Sequence, residues 1–192
     1  MISPHSQSGF SLVETLVAIT VLLLVIVGPM SISSSAARST SYSSEQVVAF
    51  FLAQEGAELV QKARDDLQLQ NFAGSNATPW NDFSSGSLYS DCFVSGTGCG
   101  LELIDGDNDG SLQSPINCGS TPCQLFIDDS GGRSRYTHNS TGTETQFTRV
   151  IEMSATAGRE VEVISTVSWQ PDNQRRRQTV EVKTYLFNVY DN

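Results

Sequence analysis

A single carboxylate stands near the start of a long apolar run. In Gly9-Phe10-Ser11-Leu12-Val13-Glu14 the acid lies five residues beyond Gly9, and no further charge follows until Arg38. A charge near the middle of a membrane helix costs about 2.5–3.5 kcal/mol on insertion scales. The cost falls nearer the interface, or when a cation pairs with the acid. Hydrolysis of the bond after Gly9 creates such a cation, the new α-amine of Phe10. Amine and carboxylate then lie one helical turn apart, or reach each other between neighbouring chains. The chemistry these residues invite is done to the chain, not by it.

Two other groups of residues invite chemistry. Asp105-Gly106-Asp107-Asn108-Asp109-Gly110 sets carboxylates at alternate positions with glycine for the tight turn, which supplies hard oxygen ligands for Ca²⁺. The first half of an EF-hand loop has this spacing. Its twelfth position here is Ile116 rather than Glu, so a site needs a further acid, with Glu102 and Asp128 as candidates. Asp105, Asp107 and Asp109 would repel one another without a cation; the alternative is an acidic turn that binds nothing. The cysteines are Cys92, Cys99, Cys118 and Cys123. An even number, behind a membrane-targeting start, reads as two disulfides in an oxidising compartment. A four-thiolate zinc site is the competing reading, but the spacings are looser than the usual CxxC knuckle. Three pairings exist in principle; the preferred local one, Cys92 with Cys99 and Cys118 with Cys123, closes small loops worth roughly 2 kcal/mol each.

Enzyme chemistry finds no constellation. His5 and His138 are the only histidines, and His138 lacks the neighbouring nucleophile and orienting acid that a triad needs. No P-loop, nucleophile elbow or HExxH occurs. The chain of 192 residues carries a net charge of −10, which argues against a nucleic-acid surface, since that needs a basic face. Its one basic cluster, Arg175-Arg176-Arg177, has no interleaved aromatics and reads as a solvated hairpin end or an ion-pairing site.

The elements that must position these residues follow from composition and period. Ser11 to Val27 is rich in Leu, Val and Ile and free of Gly and Pro; about 18 helical residues span about 27 Å, close to a hydrocarbon core. Gly28-Pro29 follows, where a kink or a locally melted turn is expected because Pro29 lacks an N–H and crowds the carbonyl of Val25. Ser31 to Ser44 is serine-heavy and a poor isolated helix. In Glu45 to Gln70, Val48, Leu52, Leu59, Ala63 and Leu67 fall near one helical stripe, the face expected to pack on a sheet, with Gly56 permitting close approach of a strand. Asn71 to Cys123 reads as an irregular stapled loop region. From Gln124 the pattern turns to strands: Gln124–Ile127, Ser134–His138, Thr145–Ala155, Val161–Trp169 and Thr179–Val189, the last three long and antiparallel. A long helix followed by an antiparallel sheet is an α+β arrangement.

Gly9, Phe10 and Glu14, followed by the apolar run Leu16 to Val27, resemble the N-terminus of the type IV pilins and the pseudopilins of type II secretion. The leader Met1 to Ser8 departs from the family in having no Lys or Arg. The resemblance implies cleavage after Gly9 by a prepilin peptidase, N-methylation of Phe10, and a role for Glu14 in assembly. It implies a single-pass precursor in the cytoplasmic membrane, with its C-terminal domain outside the cytoplasm. The helix then leaves the bilayer and packs with other pilin subunits in an extracellular or periplasmic filament. The implied layout is a leader over 1–9, a transmembrane and filament-core helix over 10–29, and a helical stalk over 30–71. A disulfide-stapled loop region over 72–123 and a sheet over 124–192 complete it. Helix is expected through the serine-rich stretch because a pilin stalk continues there, and a proline near position 29 often accompanies helix loosening in the filament. The layout resembles the larger minor pilins, which implies a minor, non-enzymatic subunit with no nucleic-acid partner. The rival reading is a membrane-tethered or secreted calcium-dependent adhesin. A plain signal-anchor over Phe10 to Val27 is a further alternative; a signal peptide cut near Ser35 and Ala37 would be odd with Glu14 in its apolar region and no basic start.

Overall fold

The computed structural model describes residue 9 and residues 11–85, 87–104, 110–130, 132–171 and 176–189. The chain forms two compact units, Met1–Ser44 and Glu45–Asn192. One helix, α1 (Leu12–Phe72, 61 residues), runs through both ranges.

In the first unit every described side chain from Ser11 to Ser41 is exposed. An 18-residue window of α1 reaches a mean hydropathy of 2.5 and is long and apolar enough to cross a membrane. Its few hydroxyls are satisfied within the helix: Thr15 and Thr20 donate to the carbonyls of Leu12 and Val17 at 2.9 and 2.8 Å. The serine-rich stretch behaves likewise, with Thr40 and Ser43 donating to Ala36 and Ser39. Back-bonding of this kind lets a polar side chain sit in an apolar helix without an unsatisfied donor. The melted turn expected at Pro29 does not occur, and the helix is continuous through Gly28, Pro29 and Met30. Pro29 removes one intrahelical donor, and the turns on both sides keep their own hydrogen bonds.

The second unit is α+β. Its sheet has seven strands: β1 (Cys99–Gly100), β2 (Ile116–Asn117), β3 (Gln124–Asp128), β4 (Arg135–Thr137), β5 (Thr143–Ala157), β6 (Glu160–Trp169) and β7 (Gln178–Phe187). All pairings are antiparallel. The long strand β5 is central: one edge takes β6, which carries β7, and the other takes β1 and β3. Along β6, Val161, Val163, Ser165, Val167 and Trp169 are buried while their neighbours are half-buried, the period-2 signature of a strand with one covered face. On β5 the inward positions are Phe147, Arg149, Ile151 and Met153. The pairings Phe147 with Trp169 and Ile151 with Ser165 put the two sets side by side.

The covering layer is the second half of α1. Its buried residues are Ala49, Leu52, Ala53, Gly56, Ala57, Leu59, Val60, Ala63 and Leu67. The stripe is centred closer to the small residues than the larger apolar ones suggested; Val48 is only half-buried, while Ala49 is fully so. Small residues here let the helix axis approach the strands. Gly56 is the extreme case, since a Cβ at that position would collide with Ser165 Oγ and lie 3.1 Å from Arg149 Cδ.

The segment expected to be irregular is more ordered than its composition implied. It holds α2 (Pro79–Ser84) and a 3-10 helix (Ser87–Phe93), and it supplies Trp80, Phe83, Tyr89, Cys92, Cys99 and Leu101 to the core. Trp80 Nε1 donates to the carbonyl of Gly158 at 2.8 Å, anchoring α2 to the β5–β6 turn. The cysteines form two local disulfides, Cys92–Cys99 and Cys118–Cys123. Gly98, inside the loop closed by Cys92–Cys99, has φ +64°, and a Cβ there would lie 2.6 Å from the carbonyl oxygen of Ile151, so glycine is required where this loop meets β5.

The contact between Gly56 and Ser165 makes a stability test. Gly56→Ala gains about 1 kcal/mol of helix propensity but overpacks the helix–sheet seam at a cost of about 1–3 kcal/mol, so a net loss is expected. Ser165 Oγ is buried without a hydrogen-bond partner, so Ser165→Ala alone is expected to be neutral or stabilising. In the Ser165→Ala background, Gly56→Ala should become neutral or favourable. Urea unfolding of the parent, both single variants and the double variant measures the coupling; strictly additive changes would show that the hydroxyl is not the obstacle.

Candidate functional site

The N-terminal segment is built simply. Gly9 is exposed and outside any regular element, and among the described residues nothing lies within 4 Å of where its Cβ would be. Phe10 lies outside the described residues. The helix opens at Leu12, and its first turn is closed by Thr15 N–H donating to the carbonyl of Ser11 at 3.1 Å. Glu14 is the acid of that first turn and is exposed. A carboxylate there faces the positive end of the helix dipole. Ser11 and Glu14 stand three apart, the S-x-x-E spacing of a capping box, a helix-start signal that the motif at Gly9 overshadows. The residues that follow are apolar on every side of the helix, not along one stripe. Such a surface suits hydrocarbon or a bundle of like helices.

The acidic loop has a defined frame. Leu103 bridges Leu112, Ile104 N–H donates to Ser111, and Gln113 N–H donates to Glu102. Asp105, Asp107 and Asp109 themselves lie outside the described residues. The two further acids considered for a calcium site are both engaged elsewhere. Glu102 Oε2 accepts from Thr137 Oγ1 at 2.7 Å and from His138 N–H at 2.6 Å. Asp128 accepts from Ser130 N–H and from Arg135 at 3.0 Å. The Ser130 hydrogen bonds chiefly, and Arg135 after them, hold the Asp128 carboxyl down at about 2. Among the described residues no cluster of three His, Cys, Asp or Glu could hold a metal. Of the basic cluster, Arg175 lies outside the described residues, and Arg177 donates to Thr148 Oγ1 at 3.0 Å. That contact turns it onto its own sheet.

Two buried polar residues went unnoticed as structural elements in the sequence. Arg149 is 0% exposed. Its Nη1 donates to Glu55 at 2.9 Å and its Nη2 to the carbonyl of Leu101 at 2.9 Å. The signal was present in the period of β5, where Arg149 falls between Phe147 and Ile151 on the inward face. His138 stands over Gly100, whose Cβ would lie 2.9 Å from Nε2. Its Nδ1 lies 3.2 Å from the carbonyl oxygen of Gln124, which assigns the proton to Nδ1. Burial first, and the Arg149 charge second, push the imidazole down to about 4. His138 borders a polar cleft of about 390 Å³ with Glu102, Gln113, Arg135 and Asn139. The ring's Nδ1 faces the Gln124 carbonyl, and Nε2 lies against Gly100 with no hydrogen-bond partner among the described residues.

Comparison with known proteins finds one match. The family model for the prokaryotic N-terminal methylation motif matches residues 4–28. The matched stretch takes in Gly9, Phe10, Glu14 and the apolar run, and it is consistent with a type IV pilin-like protein. No curated protein and no solved structure matches the chain.

His138 gives the folded domain a pH signature. Its folded value lies below the ordinary 6.5, so the unfolded chain takes up the proton first as pH falls. Its contribution to stability is complete above about pH 6.5 and is lost progressively down to about 4. Urea midpoints of the full-length protein in detergent should decline across this window, and His138→Gln should flatten the decline. An unchanged slope in that variant would assign the pH dependence to other groups.

Proposed function

We propose that the protein is a structural subunit of a type IV pilus-like or pseudopilus filament. The observation that carries this reading is the match of the methylation motif to residues 4–28, continuous with a helix whose described residues are exposed from Ser11 to Ser41. In this reading the precursor is anchored in the membrane by α1. A prepilin peptidase cuts after Gly9 and methylates Phe10. The apolar helix then exchanges lipid for the helices of neighbouring subunits, and Glu14 pairs with a Phe10 amine. The domain beyond Glu45, with its disulfides, is the part presented outside the cytoplasm, where such bonds persist. The subunit performs no reaction of its own; it supplies a helix for polymerisation and a folded surface.

Two substitutions test the reading. Gly9→Leu puts a branched side chain where the peptidase must grip an open backbone, and it should leave a full-length, unmethylated membrane protein. Mass spectrometry of the N-terminus decides, and normal shortening would contradict the cleavage site.

Glu14→Leu should leave insertion intact or improved, because an expensive intramembrane charge is gone, and cleavage should persist. Recovery in sheared filaments should fall by about tenfold or more, because a neighbour's ammonium is then buried without a partner, a loss of several kcal/mol. Equal recovery at equal membrane abundance would remove Glu14 as an assembly determinant.

A further inference from the structure

The sheet ends differently at its two sides. On one side the outermost strands are short, β2 with two residues and β4 with three, which is one way folds blunt a pairing edge. On the other side lies β7, ten residues long and paired with β6 alone. Its ladder with β6 runs from Gln178 to Phe187 without a register shift, and its sequence contains no proline. The phase of the ladder is fixed just beyond its end, where Asn188 N–H donates to the carbonyl of Arg159 at 2.8 Å. Along an antiparallel pair, residues that bond the neighbour alternate with residues that face away from it. The even-numbered residues of β7 therefore bond β6, and Thr179, Glu181, Lys183, Tyr185 and Phe187 turn their N–H and C=O groups outward. A row of that length is a template for a further strand.

We propose that this edge pairs with β7 of a second copy of the chain, antiparallel and about a two-fold axis through Val182. The two charges of the edge select both the occupant and the register. Glu181 and Lys183 are exposed. Lys183 pairs with Glu162 of β6, and Glu181 has no polar partner among the described residues. With the axis through Val182, Glu181 of each copy stands opposite Lys183 of the other, on the exposed face. Thr179 then stands opposite Tyr185, and Val180 opposite Thr184. An axis through Glu181 or through Lys183 sets like charges against each other, which destabilises a cross-strand pair. No other two-fold register pairs the acid with the base. A strand of unrelated sequence must match both charges, whereas β7 matches itself. The inward side of the edge also lacks cover. Val180 lines an open groove of about 400 Å³ with Val47, Phe50 and Phe51 of α1, which are 55%, 49% and 63% exposed. A strand added beyond β7 turns its own Val180, Val182 and Thr184 to that same side of the sheet. Such a contact is isologous and uses the one long edge of each copy, so it closes at two and does not extend a filament. It stands independently of the filament reading above.

Light scattering on the full-length protein in detergent, after size-exclusion chromatography, tests the contact. The parent should be a dimer. Glu181→Lys and Lys183→Glu each set like charges opposite one another at both positions, and each alone should weaken dimerisation about tenfold or more. Mixed in equal amounts under different tags, the two variants should co-purify, because an edge with two lysines then faces an edge with two glutamates. Lys183→Glu also opposes Glu162, so near-UV circular dichroism checks its fold. Glu181→Pro is the second variant: the N–H it removes faces away from β6, the existing ladder keeps its bonds, and dimerisation should fall by a similar factor. A monomeric parent, or folded reversed variants that fail to pair when mixed, would overturn the inference. So would parent-like dimerisation of Glu181→Lys or Glu181→Pro, whether or not Lys183→Glu folds.

Discussion

The buried guanidinium of Arg149 is the constraint around which the folded unit is arranged. It has no exposure to water, and its hydrogen-bond acceptors come from two places that the chain order keeps far apart. Glu55 belongs to α1, and the Leu101 carbonyl follows β1. A charge in such a place needs first a counter-charge and then partners for its donors; Nη1 and Nη2 have theirs, while Nε has none among the described residues. Glu55 meets the first need at low desolvation cost, because its own side chain stays 48% exposed. The remaining features follow. Helix and sheet must lie close enough for Arg149 to reach the helix, so the helix presents Gly56 and a run of alanines. Burial first, and the same cation second, lower the basicity of His138, so the imidazole rests uncharged against Gly100.

The first half of α1 follows a different logic. In its apolar run the hydroxyls of Thr15 and Thr20 are satisfied by the helix's own carbonyls, so neither asks for water or for a particular partner. Lipid tails and aliphatic side chains are equally apolar, so exchange of one for the other costs little, and packing detail decides the outcome. Within the apolar run from Leu12 to Val27, Glu14 is the one charged group. That asymmetry is what a subunit that changes solvent needs: an indifferent surface with one discriminating charge.

The parts of this architecture that were legible in the sequence are those fixed by local rules. The processing motif is a linear pattern and needs no tertiary information. The alternation of Val161, Val163, Ser165, Val167 and Trp169 declared the inward face of β6, because a one-sided strand has period 2. The same count on β5 assigns Ile151 rather than Val150 to the inside, and with it Arg149, but hydrophobicity alone discounts a charged residue at an inward position. On α1, Gly56 was legible as the point where a strand comes close, but ranking residues by size pointed to Val48, where the fold buries Ala49, because a helix that must approach a sheet buries what is small. The stretch from Asn71 to Cys123 was least legible. Its elements are short, and Trp80, Phe83 and Tyr89 enter the core from a Gly- and Ser-rich context in which no period can develop.

The covalent topology has a mechanical consequence. Each disulfide joins cysteines only seven or five positions apart, so neither links α1 to the sheet. The crosslinks pin their own loops and leave the helix–sheet seam closed by small-residue packing, the Arg149 contacts and the Trp169 to Glu45 hydrogen bond. Tension applied along α1 meets no covalent strut there. It is borne by those non-covalent contacts in shear, and the two disulfide-pinned loops can keep their local geometry even where the seam yields.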